Sequence, residues 1–243
     1  MAVSGDATQH SGRAADDGDG TSSKTANYRS VFDIIGPVMI GPSSSHTAGV
    51  VAIGRVVNEV FRDEPETIVV DYYESFAQTH QGHGTDFAIV GGVLGFATDD
   101  RRNENSLEIA RRRGIHVSFV EKEGDSPVGH PNTAIVSVSN SRRSVQVVGV
   151  SIGGGVAQIK RIVVDGFDVR PRGTLPMLLL RGHDSDNQEL GEKLRGVCLI
   201  GDVRSFGGQD TDERMYEYDL DSPLTQRMVE DVVHGDDRIF YLR

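Results

Sequence analysis

A Gly-Pro break, three serines, a histidine and a threonine, IGPSSSHTAG from Ile40 to Gly49, run directly into TAGVVAIGRVVNEVF, where Val50, Ile53, Val57 and Phe61 recur at helical spacing. This junction predicts an amphipathic helix beginning near Thr47, with an apolar face that needs a packing partner. It also places Ser43, Ser44 and Ser45 where the first helical amides have no partner inside the helix. Those amides, with the positive end of the helix dipole behind them, suit an anion such as a carboxylate. One serine suffices to cap a helix, and the others alone would describe an ordinary turn. His46 makes the cluster a candidate site. A helix N-terminus disfavours imidazolium, so the ring stays neutral and able to accept a proton near pH 7, as a general base must.

Two further stretches repeat this grammar. GHGTD, Gly82 to Asp86, places His83, Thr85 and Asp86 before a helix, and GHPNT, Gly129 to Thr133, places His130 and Asn132 before a strand. Three polar clusters at the mouths of regular elements can converge on one small-molecule pocket. Other chemistries fit less well. Ser45 beside His46 suggests a hydrolase nucleophile, but no G-x-S-x-G elbow is present. His80 and His83, joined by His46 or His130, could ligate a metal, but H-x-x-H spacing is common by chance and the zinc-protease HE-x-x-H is missing. SIGGG, Ser151 to Gly155, reads as a turn rather than a phosphate loop, because no Gly-Lys-Ser/Thr follows.

Along the chain, residues 1–26 are rich in Gly, Ser, Asp and Thr and read as a disordered tail. An α+β first domain is expected over 27–168. Its elements are a strand in TIVVDYYESFA, a buried helix in GTDFAIVGGVLGF, a short helix in SLEIARRRG and strands in IHVSFVE, TAIVSVS, SVQVVGVSIGG and VAQIKRIVVDGF. FDVRPRGTLP reads as a linker, assigned to 169–175. The remainder, 176–243, reads βαββαβ, the order of a ferredoxin-like sandwich.

With 36 acidic against 25 basic residues, the formal charge of −11 disfavours nucleic acid and anionic membranes as partners. No run of about 18 apolar residues predicts a spanning helix, so a cytoplasmic protein is expected. Cys198 is the only cysteine, too few for the thiolate set of an iron–sulfur cluster or structural zinc. A cluster of that kind would have to come with another chain.

YRSVFDIIGPVMIGPSSSHTAG, GHGTDFAIVGG, HPNTA and SIGGG followed by VDGF together resemble the β chain of the bacterial two-subunit iron–sulfur L-serine dehydratases. The resemblance implies a serine dehydratase β-domain followed by an ACT-like domain, and conversion of L-serine to pyruvate and ammonia. It further implies a [4Fe-4S] cluster held by cysteines of an α chain, with no metal bound by this one. By carry-over, Ser43, Ser44, Ser45 and Thr47 would hold the substrate, His46 would remove the α-proton, and His83, Thr85 and Asp86 would orient the substrate or partner residues. His130 and Asn132 would shape the interface. Two departures stand out. Glu74 occupies a position where the family tends to have glycine. HDSDNQELGEKL lacks the acid-then-glycine pattern of effector-binding ACT domains, which leaves homodimerisation as that module's expected role. A stand-alone serine-binding sensor is the alternative.

Overall fold

The computed structural model describes residues 38–209, 211–233 and 235–243. The tail expected over 1–26 and the apolar run from Tyr28 to Pro37 lie outside the described residues.

Ser43 begins the ordered core. Its side chain caps a π-helical turn, Ser44–Ala48, which continues without a break into helix α1, Gly49–Phe61. The apolar face read from the sequence is buried as expected: Val50, Ile53, Val57 and Phe61 are all at most 2% exposed. With Val56 and Val60 on the same stripe, their burial contributes on the order of 10 kcal/mol before chain entropy is subtracted.

Strand β1, Thr67–Tyr73, follows, and then three helices: α2, Glu74–His83; α3, Thr85–Val93; and α4, Ser106–Arg112. They form the crossover to β2, His116–Lys122, which pairs parallel with β1. Strands β3, Thr133–Ser139; β4, Ser144–Gly153; β5, Val156–Val164; and β6, Phe167–Val169, then build an antiparallel meander, giving the sheet order β2-β1-β3-β4-β5-β6. Alternating residues of β1, β3, β4 and β5 meet α1 and α3 in one apolar core.

Two sequence expectations are corrected here. TIVVDYYESFA is not one strand: it ends at Tyr73, and Glu74 turns the chain into α2 at φ +43. The linker starts later than expected, because Phe167 to Val169 pair with β5 and both Phe167 and Val169 are buried. Their proline- and glycine-rich surroundings masked an edge strand of three residues.

The second sheet comprises β7, Met177–Gly182; β8, Ile200–Gly207; β9, Arg214–Leu220; and β10, Ile239–Leu242, with helices α5, Asp184–Arg195, and α6, Gln226–Val232, between them. Its order is β10-β7-β9-β8, all antiparallel. Leu178, Leu180, Tyr216 and Tyr218 face α5 and α6. Met177, Leu179, Met215 and Phe240 face the other way, into the core of the first sheet. A strand buried on both faces needs no polar alternation, which explains the run MLLL. Helix α1 braces both sheets: Arg62 stacks 4.5 Å from the Phe240 ring, and the Arg243 amide donates to Glu59 at 3.1 Å. Among the described residues no helix is long and apolar enough to cross a membrane.

Helices α1 and α3 cross at two glycines. A Cβ on Gly92 would lie 2.3 Å from the Val51 carbonyl oxygen, and one on Gly54 would lie 2.3 Å from that of Ile89. This close approach also brings Thr85, the first residue of α3, to the π-helical turn that opens α1. Two helix N-termini therefore share one end of the molecule.

Candidate functional site

His46 sits at that end. Its Nδ1 lies 3.1 Å from Ser45 Oγ and 3.3 Å from Ser43 Oγ, and its Nε2 lies 3.0 Å from Thr79 Oγ1 on α2. The His46 amide donates to Ser43 Oγ at 3.4 Å, and the Thr47 amide donates to the Ser43 carbonyl at 2.8 Å. Phe76 meets the imidazole edge-on at 5.2 Å, and the His83 ring lies 4.8 Å away. Burial, reinforced by His83, lowers the His46 pKa, so the ring is neutral near pH 7.

The second polar cluster is divided by its backbone. His83 closes α2 and is exposed beside His46. Gly84, at φ +73, caps α2 by donating its amide hydrogen to the His80 carbonyl and lets α3 begin at once. Thr85 is fully buried, and among the described residues its hydroxyl has no partner; the same holds for Thr47. Asp86 does not face His46: its carboxylate lies 2.7 Å from His80 Nδ1. The third cluster approaches through Phe76, whose amide donates to the Pro131 carbonyl at 3.4 Å. Asn132 Nδ2 donates to the Ser151 carbonyl, and the Ser151 amide donates to the Asn132 carbonyl at 3.0 Å. His130 Nδ1 accepts from the Asn132 amide at 3.1 Å, and burial and then Lys160 lower the pKa of His130. The structure thus groups Ser43, Ser45, His46 and His83 tightly, and ties the segment that carries His130 and Asn132 to α2 through the Phe76 amide. Ser44 lies in the capping turn, its carbonyl accepting from Gly49.

Sequence reading missed Thr79 and Phe76 because it missed α2. The signal was present: Ser75, Thr79 and His83 recur every four residues on one helix face. His80, considered as a metal ligand, is instead buried between Asp86 and Glu121, whose carboxylate lies 3.0 Å from Nε2. Burial disfavours its charged form, but the hydrogen bonds its ring donates to Glu121 and Asp86 outweigh that and raise its pKa. The consequence has a definite sign. A raised histidine pKa contributes stability that is complete below the unfolded value of about 6.5 and is lost as pH rises through the folded value. Urea midpoints should therefore fall across that window in the wild type, and His80→Gln should flatten the fall.

Glu74 clamps the loop that carries His130, accepting the Ser126 amide at 2.9 Å. At φ +43 it occupies backbone space that favours glycine. Glu74→Gly should relax that strain, leaving thermal stability equal or higher, while Ser126 loses amide-exchange protection. Glu74→Gln, whose amide oxygen can still accept, should keep it. A cleft of about 790 Å³ lined by Glu74, His80, Glu121 and Asp125 opens beside Gln78 and Gln81 of α2 and includes neither His46 nor His83.

Cys198 lies beyond α5 with its thiol donating to the Leu194 carbonyl at 3.5 Å, and among the described residues no three ligating side chains are grouped for a metal. This chain's residues do not fit an iron–sulfur cluster.

A family model described as serine dehydratase beta chain matches residues 30–161, more than half of the sequence. The chain belongs to the serine dehydratase beta-chain family. A protein of Bacillus subtilis (strain 168) named probable L-serine dehydratase, beta chain, is 50% identical over 157 residues, covering 65% of this chain and 70% of that one. The L-serine dehydratase beta chain of Peptoniphilus asaccharolyticus is 39% identical over 154 residues, covering 62% and 67%. L-serine dehydratase 2 of Escherichia coli (strain K12) is 41% identical over 76 residues, 29% of this chain but only 16% of that protein. Membership in the serine dehydratase beta-chain family ties the chain to L-serine deamination, a lyase reaction of amino-acid metabolism. The hydroxyl turn, His83, His130 and Asn132 all fall within the matched segment.

Proposed function

We propose that this chain is the β subunit of an L-serine dehydratase and supplies half of an active site completed by an α chain. What carries the reading is a neutral imidazole, His46, at a helix N-terminus among serine hydroxyls, in a chain whose relatives are named L-serine dehydratase beta chains. The Escherichia coli relative supports a missing partner, since the part resembling this chain is a small fraction of that protein.

In this reading the substrate carboxylate is held by the amides and hydroxyls at Ser43, Ser44 and Ser45, and His46 takes the α-proton. Thr47 and Thr85, buried with unpartnered hydroxyls, support the turn from beneath. Asp86 acts through His80, holding α2 against α3, while His130 and Asn132 border the face offered to the partner. A [4Fe-4S] cluster, which this chain's residues do not fit, would belong to the α chain and would supply Lewis-acid chemistry at the leaving hydroxyl. Residues 176–243 serve as an ACT-like, ferredoxin-like module that pairs two copies of the chain, and the enzyme is cytoplasmic.

One observation favours a second assignment of the base. Both His46 nitrogens have partners within the chain, whereas the exposed His83 ring has no hydrogen bond among the described residues. A stand-alone serine sensor is the rival from another class. Titration calorimetry of the isolated chain with L-serine separates the two: half a site predicts no binding below millimolar concentration, and tight binding without a partner would favour the sensor.

A further inference from the structure

His46 has two nitrogens, and only one can carry the proton in the neutral ring. Thr79 decides which. Its hydroxyl has a single hydrogen, and that hydrogen is committed to the Ser75 carbonyl at 2.6 Å, one turn back on α2. The Thr79 oxygen that lies 3.0 Å from His46 Nε2 therefore has only lone pairs to offer, so Nε2 must be the donor. On the other side of the ring the neighbours are hydroxyls, Ser45 at 3.1 Å and Ser43 at 3.3 Å, each with a hydrogen to give. Ser43 Oγ already accepts the His46 amide, which leaves its own hydrogen for the ring or for Ser45 Oγ, 3.3 Å away. The unpaired amides of the turn add positive potential on the serine side, which disfavours a proton at Nδ1.

We infer that Thr79 is a positioning residue that fixes His46 as the Nε2–H tautomer, leaving the Nδ1 lone pair, cradled by Ser43 and Ser45, as the atom that accepts a proton. The inference deepens the proposed reaction and rests on His46 as its base. Three consequences follow from the geometry. A substrate proton reaches Nδ1 only from the side of the serine turn, where the carboxylate would also be held, so one turn both binds and deprotonates. The serine hydroxyls must swing off Nδ1 when substrate arrives, and a bound carboxylate gives their hydrogens a new acceptor. Once Nδ1 is protonated, the ring is a cation with its far N–H already paired, and the Thr79 oxygen stabilises it without moving.

The tautomer can be read directly, without turnover. In ¹⁵N-labelled full chain, long-range imidazole spectra near pH 7 should give His46 a pyrrole-type Nε2 and a pyridine-type Nδ1. Thr79→Val, close in shape but without an acceptor, should average the two nitrogens, and Thr79→Ser should restore the wild-type pattern. With the α chain present, Thr79→Val should lower turnover about tenfold and change its pH profile, with Thr79→Ser again close to wild type. A pyrrole-type Nδ1 in the wild-type spectrum, or a pattern indifferent to Thr79→Val, overturns the inference. Because the wild-type spectrum needs no variant, a misfolded Thr79→Val leaves the test intact. A tautomer change without loss of turnover upholds the hold by Thr79 and removes His46 as the base, so the two failures are told apart.

Discussion

His46→Ala in the assembled enzyme is expected to lower kcat by about 10²- to 10⁴-fold, the usual contribution of a positioned general base, while the two-chain complex forms as before. The ring is half-buried, and of its neighbours Ser45, Thr79 and His83 are polar while Phe76 alone belongs to the apolar core, so its removal should leave the fold in place. Burial, and then His83, lower the His46 pKa, so the acid limb of activity lies below the ordinary value of about 6.5. His83→Gln removes the neighbouring imidazole that helps lower the His46 pKa, so that pKa should rise and the acid limb should move to higher pH. If His83 is itself the base, the same variant instead abolishes turnover and His46→Ala is the milder change. A loss of less than about tenfold for His46→Ala would remove its assignment as base.

Gly92→Ala is expected to destabilise the chain by about 2 to 3 kcal/mol, the upper range for overpacking, because the atoms it meets are backbone and cannot rotate away. The added methyl would lie 2.3 Å from the Val51 carbonyl oxygen and 2.9 Å from Gly54 Cα. For a chain of this size the thermal midpoint should fall on the order of 5 to 10 °C. The change also has a functional direction. Helices α1 and α3 must separate to admit the methyl, and the separation displaces the two N-termini that carry Thr47 and Thr85. Turnover should fall in the fraction that remains folded. A stable Gly92→Ala with full activity would show that the crossing tolerates a wider gap than its geometry implies.

How far the sequence could be read depended on whether a signal was local. Helix α1 was legible because Val50, Ile53, Val57 and Phe61 carry a clean helical period and Ser43 supplies the cap at its start. Strands β3 and β4, rich in β-branched residues, and the glycine turn between β4 and β5 were also legible because their signals are local. Helix α2 was not: two tyrosines favour a strand, and the reversal at Glu74 depends on a positive φ that sequence rules assign to glycine. With α2 unseen, Thr79 could not be placed against His46. The environment of His80 was equally hidden, because Glu121 comes from β2, 41 positions away. Asp86 looked like a group for substrate, yet a buried imidazole six residues earlier holds its carboxylate, a pairing made only when Gly84 bends one helix into the next.

A chain that holds a base and a carboxylate cradle but lacks the group that acts on the leaving hydroxyl is inactive until its partner joins it. Purified chain, purified cluster-bearing α chain and an equimolar mixture should be assayed anaerobically for pyruvate released from L-serine. No release is expected from either chain alone, and sustained release is expected from the mixture. Pyruvate formed by this chain alone, or none from a mixture in which the cluster is intact, would contradict that expectation.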